Sequence, residues 1–400
     1  MKKQFMNATL GIAMAMMSCA GNASTDEPTM AEIMALIKSQ QAEIEALKKL
    51  VRQTDQKVED TADAVETIAS STESYAKIAS WADKTHIGGY GEMHYNDKKN
   101  SDNEIDSHRF VLFVEHEFTD DVRLFSEVEL EHSIAGDDKN GEVELEQAYI
   151  EWDYTDNHNA TFGQFLIPIG IINETHEPDT FYGVERNSVE KNIIPATWWE
   201  GGVMLSGEMA PGFTYDVAAT SGLETPTDGK DAFLPRKGRQ KVSKATAEDF
   251  AYTGRLKYTG IAGLELATTL QYQEDIAQGK GIDDASALLW ETHVIYQAGG
   301  FGLRALYAIW DIEGDEAEAF GRDEQEGLYV EPSYRLNSQW GFFVRYSEWD
   351  NNAGDNDDTK VEEWDLGVNF WLVENVVFKA DWADQKNGED SFNLGVGWSF

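Results

Sequence analysis

The residues of this chain that could do chemistry are spread out rather than gathered into motifs. Its eight histidines show no H-E-x-x-H and no shared ligand spacing, so no metal centre is expected. The stretch DNNAGDNDD, Asp350 to Asp358, is rich in oxygen ligands. It lacks the D-x-[DN]-x-[DN]-G-x5-E spacing of a calcium loop, and no dedicated site is expected there. No G-x-S-x-G, Walker A loop or paired-carboxylate motif stands out, so neither an enzyme nor a cofactor is expected. What remains is the chemistry of charge. KDAFLPRKGRQKVSK is the one basic run, with Lys230, Arg236, Lys237, Arg239, Lys241 and Lys244. It can raise the local concentration of anions, bind lipopolysaccharide phosphates, or be a plain solvated loop. GIINETHEPDTFYGVERNSVEKNIIPATWWE, Gly170 to Glu200, has no strand pattern and carries Glu185, Arg186, Glu190 and Lys191 among aromatic residues. Loops of such length are usually functional or disordered. It is expected to constrict a lumen, the alternative being an outside loop that shields a subunit interface.

The acidic balance excludes one class of partner. With 73 Asp and Glu against 32 Lys and Arg, and a pI near 4.4, the chain has no basic face for nucleic acid. Aromatic residues at 12% are too many for a disordered acidic chain and suit membrane interfaces. Lys2 and Lys3, the apolar run Leu10 to Met17, and Gly21-Asn22-Ala23 read as a signal peptide over 1–23. The only cysteine, Cys19, lies inside it behind a poor lipobox, so the mature chain has no disulfide or Cys metal site. No apolar run is long enough for a membrane helix, and a membrane protein without one must be a closed β-barrel.

The elements follow from periodicity. Residues 24–75 are expected as a coiled coil, with Met30, Ile37, Ile44, Val51, Val58 and Val65 at a, and Ile33, Gln40, Leu47, Thr54, Thr61 and Ile68 at d. Branched residues at both positions favour trimers. A single helix lying on the domain is the alternative. Residues 76–84 are expected as a linker, and 85–400 as an all-β transmembrane barrel of about 16 antiparallel strands. In HRFVLFVEHEF, Phe110, Leu112 and Val114 share one face, and Arg109, Val111, Phe113 and Glu115 the other. The final SFNLGVGWSF alternates likewise, with Phe392, Leu394, Val396, Trp398 and Phe400 toward lipid. A large barrel keeps an aqueous lumen, so polar residues should point in. Pro332 suggests a bulged strand or a strand boundary placed elsewhere, and HIGGYGEMHY a bent first strand. A soluble β-sandwich is the competitor, but it needs no wide apolar outer band.

The alternation turns a set of charges inward. The basic ones are Arg109, Arg123, Arg255, Lys257, Arg304, Arg335, Arg345 and Lys379. Glu127, Glu129, Glu131 and Glu151 face the same water, as do Glu115, Asp153, Glu265, Glu291, Glu331 and Asp381. Such a wall either replaces an anion's hydration as a ladder or serves a general pore through a transverse field.

HIGGYGEMHY, ELEQAYIEW and ATFGQFLIPIGI followed by PATWWEGGVML resemble the phosphate-selective porin O and P family. An N-terminal coiled coil recurs there and in trimeric dicarboxylate porins. The resemblance implies a homotrimer in a Gram-negative outer membrane, in contact with lipid and lipopolysaccharide, and passive diffusion of small hydrophilic solutes. It also implies a loop folded into the lumen whose basic residues select anions such as phosphate. A terminal aromatic on an alternating last strand resembles the signal read by the barrel assembly machinery, carried here by Trp398 and Phe400. A tether or adhesin with a plugged barrel, its periplasmic coiled coil gripping peptidoglycan, is the rival reading.

Overall fold

The structure, a computed structural model, describes residues 29–134, 141–281, 283–355 and 357–400, leaving aside the side chains of residues 70–79. The expected leader 1–23, with Cys19, lies outside the described residues, as do residues 24–28 of the expected coiled coil and residue 356 of the acidic stretch.

Helix α1 (Met30–Asp83) contains no glycine or proline. A capping box starts it. Thr29 Oγ1 accepts from the Glu32 amide at 3.4 Å, and the Glu32 carboxylate accepts from the Thr29 amide at 2.9 Å. The segment 76–84, expected as a linker, is helical through Asp83. Ala76, Ala79 and Ala82 are strong helix formers with no breaker between them. Ile33, Ile37, Ile44, Leu47, Val51, Val58 and Val65 form an exposed apolar stripe along the helix. No helix among the described residues is long and apolar enough to cross a membrane.

The barrel unit is a single closed antiparallel sheet of 16 strands in sequence order. They are β1 (Thr85–Lys98), β2 (Glu104–Thr119), β3 (Val122–Glu131), β4 (Val143–Thr155), β5 (His158–Leu166), β6 (Trp199–Ala210), β7 (Phe213–Thr220), β8 (Ala251–Ile261), β9 (Leu264–Gln273), β10 (Ser286–Ala298), β11 (Phe301–Glu313), β12 (Glu324–Arg335), β13 (Trp340–Asp350), β14 (Val361–Val373), β15 (Val376–Lys386) and β16 (Ser391–Ser399). One end has tight turns such as 120–121, 156–157 and 211–212. The other carries the long connections 167–198 and 221–250. Within the first of these lies the short helix α2 (Ser188–Asn192).

The period-two rule holds on the outside. Phe110, Leu112, Leu288, Trp290, Phe342, Trp364 and Leu366 are exposed, while Arg109, Val111, Leu289, Phe343 and Asp365 between them are buried. Aromatic pairs gather at the turn end, Phe213 with Tyr258 at 4.5 Å and Trp340 with Phe370 at 4.6 Å between ring centroids. They form the girdle expected where lipid meets water.

β16 closes the barrel on β1, with Tyr90 opposite Ser399 and Lys98 opposite Ser391. Phe400 extends the seam: its amide donates to the Gly89 carbonyl at 2.9 Å, and its carbonyl accepts from the Gly89 amide at 3.0 Å. Its ring stacks on Phe110 at 6.2 Å. The Trp398 indole covers Gly91, where a Cβ would meet it at 2.6 Å. The bend expected in the first strand does not show in its ladders. Against β16 it keeps one register from Tyr90 to Lys98. Where its register against β2 shifts, Glu92 opposite Arg109 and His94 opposite Asp106, the extra residue is on β2 and turns His108 toward the lumen. β12 is not bulged at Pro332. Val330 opposite Tyr346 and Ser333 opposite Phe343 keep one register, and only the intervening pairs are missing. Proline withholds one ladder donor there without changing which side chains point inward.

The inside departs from expectation. Leu289 on β10, Leu306, Ala308, Trp310 and Ile312 on β11 and Tyr329 on β12 are buried and face the lumen. They pack on Ile169, Ile171, Phe181, Val189, Ile193 and Trp198 from the 167–198 loop, and on Phe233 from the 221–250 loop. A hydrophobic core therefore fills one side of the barrel. The expectation of a uniformly polar inner face fails on β10–β12, because a loop folded inward needs an apolar seat.

Candidate functional site in the barrel lumen

The 167–198 loop crosses the lumen and is tied to walls on several sides. Arg109 on β2 donates to the His176 carbonyl at 2.6 Å, Arg304 on β11 to the Thr180 carbonyl at 2.8 Å, and Asn369 on β14 to the Phe181 carbonyl at 3.1 Å. The Val184 amide donates to Asp381 at 2.6 Å, and Trp310 Nε1 to the Ile193 carbonyl at 2.8 Å. The small residues of β16 take part. A Cβ on Gly395 would lie 3.1 Å from Val184, and one on Gly397 would lie 2.5 Å from Pro178. Those glycines leave room for the loop.

Glu190 organises the loop from within. It caps the turn at Gly170, whose φ of 70° belongs to the left-handed region and whose Cβ would strike Glu190 Oε2 at 2.6 Å. That oxygen accepts from the amides of Ile171 and Ile172 at 2.9 and 2.6 Å, and Tyr329 donates to the other oxygen at 2.9 Å. Burial pushes the Glu190 carboxyl up, and the Ile172 amide, Asn187 and Tyr329 pull it back. Expected at a constriction, Glu190 is instead enclosed by the loop it holds. Glu185 reaches the lumen, where His94 and Asn96 lie 3.1 and 3.2 Å from its Oε1. Burial would raise this carboxyl, but His94 holds it well below the usual carboxylate range.

The strand cations expected as a ladder are largely engaged. Arg109 pairs with Glu92 at 2.5 Å. Arg123 pairs with Glu151 and with Asp153. Arg255 pairs with Glu174 and Asp216, and Arg345 with Glu331 and Asp365. Arg335 stacks on Trp371 at 3.9 Å, and the buried Lys379 lies over Phe181 at 3.6 Å. Lys257 is half-buried on β8. Most of these side chains brace the wall and the loop. Glu127 and Glu129 are buried, while Glu131 and Glu151 are half-buried.

A different set of cations faces open space. Arg186 and the exposed Lys191 come from the 167–198 loop, and Arg236, Arg239 and Lys241 from the 221–250 loop. Together they line one side of a cavity of about 280 Å³. The same cavity is lined by the carboxylates Glu92, Glu131, Glu142, Glu144, Glu146 and Glu185 and by His94, His108 and His132. Lys241 is paired, with Glu142 at 2.5 Å and with Glu144. The remaining four have no ion pair among the described residues. Arg186 donates to Thr197 Oγ1 at 2.7 Å, Arg236 to the Lys191 and Ala196 carbonyls at 2.7 and 3.0 Å, and Arg239 to the Thr197 carbonyl at 2.5 Å. Burial, with the Arg239 and Arg186 guanidiniums beside it, pushes Arg236 down to about 9, so it remains charged at neutral pH. The basic run is thus divided: Arg236, Arg239 and Lys241 fold over the lumen loop and face the cavity, while Lys230, Lys237 and Lys244 are exposed.

Register, not sequence spacing, gathers the opposite wall. His94 on β1 is opposite Asp106 on β2. Asp106 Oδ2 lies 3.1 Å from His108 Nδ1 and 2.8 Å from His132 Nδ1, and the His94 and His108 rings stack at 4.5 Å. A further cavity of about 550 Å³ continues from this region past Arg186 and Lys191 toward the long-loop end. A third, of about 330 Å³, is lined by Glu127, Tyr149, Glu151 and Glu174.

A closed 16-strand barrel with an apolar outer band, a folded-in loop and charged internal cavities is an outer-membrane channel, not an enzyme. The chain belongs to the Gram-negative porin family, whose model matches residues 67–390. It is 26% identical over 349 residues to an uncharacterized protein of Aquifex aeolicus, covering 78% of this chain and 79% of that one. In fold it is similar to the trimer form of OmpT of Vibrio cholerae, with a TM-score of 0.55 and 11% identity over 79% of this chain and 99% of that one. It is also similar to the anion-selective porin of Comamonas acidovorans, with a TM-score of 0.56 and 12% identity over the same shares.

Proposed function

We propose that this porin is a passive diffusion channel that prefers small anions, phosphate among them. The observation that carries this reading is the cationic rim. Arg186, Lys191, Arg236 and Arg239 face the cavity without carboxylate partners, whereas Arg109, Arg123, Arg255 and Arg345 on the strands are neutralised. An unneutralised charge on a water-filled path attracts counter-ions, and here those are anions. The reversal potential of the purified protein in a planar bilayer under a KCl gradient tests this. A chloride-preferring potential is expected, and a cation-preferring one overturns the reading. Block of chloride current by micromolar phosphate supports phosphate as a solute, and its absence leaves a general anion pore. Insertion without conductance favours the plugged tether or adhesin.

The assembly is proposed as a homotrimer, in keeping with the trimer form of the similar OmpT. The exposed stripe of α1 is proposed as a periplasmic three-stranded coiled coil of this chain that contacts peptidoglycan. Deleting residues 24–75 should lower the trimer's stability in detergent, read by mass. Lipopolysaccharide is proposed to surround the long-loop end. Trp398 and Phe400 are proposed as the mark read by the barrel assembly machinery. Phe400→Asp should then cut the heat-modifiable, inserted fraction several-fold and leave the conductance of inserted molecules unchanged. Normal insertion of Phe400→Asp would remove that role.

A further inference from the structure

Between two of the lumen cavities stands a buried group that the channel reading does not use. Glu127 on β3, Glu146 on β4 and His176 in the lumen loop are 1%, 1% and 3% exposed. Glu146 is brought inward by a fault in the ladder. Glu127 is opposite Gln147, but Val128 is opposite Leu145, so Glu146 is the extra residue of a bulge. Bulges of this kind re-aim one side chain and recur beside functional sites. Glu146 borders the cavity of about 280 Å³, and Glu127 and His176 border that of about 330 Å³.

The donor atoms converge without bonding one another. His176 Nε2 lies 3.6 Å from Glu127 Oε1 and 3.5 Å from Glu146 Oε2, beyond hydrogen-bond length. Neither Glu146 Oε2 nor His176 Nε2 has a hydrogen-bond partner. All three ligand atoms lie within 4.8 Å of one another. The tautomer of the histidine is fixed from behind. Its Nδ1 is 3.1 Å from the Asn173 carbonyl, which can only accept, so Nδ1 carries a hydrogen and Nε2 is the atom turned to the carboxylates. A neutral histidine would turn its Nε2 lone pair on two carboxylates and repel them, so a cation, either a proton on Nε2 or a metal ion, belongs between them. Donation of the far ring hydrogen to a carbonyl is the usual support of a metal-bound histidine. Gln147 fixes Glu127 in the same way, donating to its Oε2 at 2.6 Å.

We propose that Glu127, Glu146 and His176 form a binding site for a divalent transition metal of the zinc class, which pins the lumen loop to the β3–β4 wall. Bonds of about 2.0–2.2 Å around tetrahedral zinc set ligand atoms roughly 3.3–3.6 Å apart. The observed 3.5 and 3.6 Å edges match that span. One imidazole and two carboxylates are ligands zinc accepts, and the neighbouring cavities leave space for a water as the fourth.

The test uses the full chain, purified in detergent, stripped with a chelator and titrated with Zn²⁺, with bound metal counted after gel filtration. One tightly held Zn²⁺ per chain is expected. His176→Gln and Glu146→Gln should each weaken it by roughly 10- to 100-fold or more. Heat-modifiable mobility checks that both variants keep a folded barrel. His132→Gln, which alters only the His108–Asp106 group, should keep the ion. Loss of the ion in His132→Gln but not in His176→Gln would move the metal to that group and overturn the proposal. Absence of tight Zn²⁺ in the wild type would also overturn it, leaving a proton on Nε2 as the cation between the carboxylates.

Discussion

Glu190→Ala should free the lumen loop while leaving the barrel closed. The carboxylate accepts from the Ile171 and Ile172 amides, from the Asn187 side-chain amide and from the Tyr329 hydroxyl, and all of these groups are buried. Removing it strands four donors, at about 1–3 kcal/mol each. The strand ladder makes none of those bonds, so the loss falls on the loop. Single-channel recordings should then show a larger and noisier conductance, and the heat-modifiable mobility should stay that of the wild type. Glu190→Gln keeps one carbonyl acceptor and should fall between the two. A Glu190→Ala channel with wild-type conductance and noise would mean that the apolar seat on β10–β12 holds the loop without help.

That seat marks where the sequence stopped being legible. Strict alternation in RFVLFVEHEF and SFNLGVGWSF was enough to place each residue on its face and to close the barrel, but the extra residue on β2 turns His108, one place earlier, into the lumen against the count. In LRALYAIWDI alternation gives way to a nearly continuous apolar run, the mark of a strand covered on both faces. Leu306, Ala308, Trp310 and Ile312 in that run are the inner side of the core. The signal was present, but the partner that covers it lies more than 100 residues away in the chain, as the Trp310 to Ile193 bond shows. Charge posed a second difficulty. Alternation says that Arg109 and Arg345 point inward, and they do, but it cannot say that Glu92 and Asp365 meet them there. Pairing depends on register across strands, and register also brought His94, His108 and Asp106 together. The bulge that turns Glu146 inward breaks period two, so an alternation count could not find it.

Arg186→Glu with Lys191→Glu should turn the channel from anion- to cation-preferring. Both side chains line the cavity of about 280 Å³ and neither is paired with a carboxylate among the described residues. At about 6 Å in water, one unit charge changes the energy of a monovalent ion by about 0.7 kcal/mol. Each reversal therefore raises an anion and lowers a cation by about 1.4 kcal/mol apiece, about 100-fold in their relative permeability. The two together exceed what a mild anion preference needs to change sign. Screening sets the conditions. At 1 M salt the Debye length is about 3 Å, and the change should shrink there relative to 0.1 M, where it is about 10 Å. Arg236 and Arg239 are poorer targets, because their guanidiniums also hold the Lys191, Ala196 and Thr197 carbonyls and their loss would loosen both loops. Lys38→Glu on the exposed face of α1 is the control for net charge and should leave the reversal potential unchanged. If the double variant still prefers anions, ions are selected elsewhere on the path, and the half-buried Lys257 on β8, a strand cation with no hydrogen bond or ion pair among the described residues, becomes the next position to reverse.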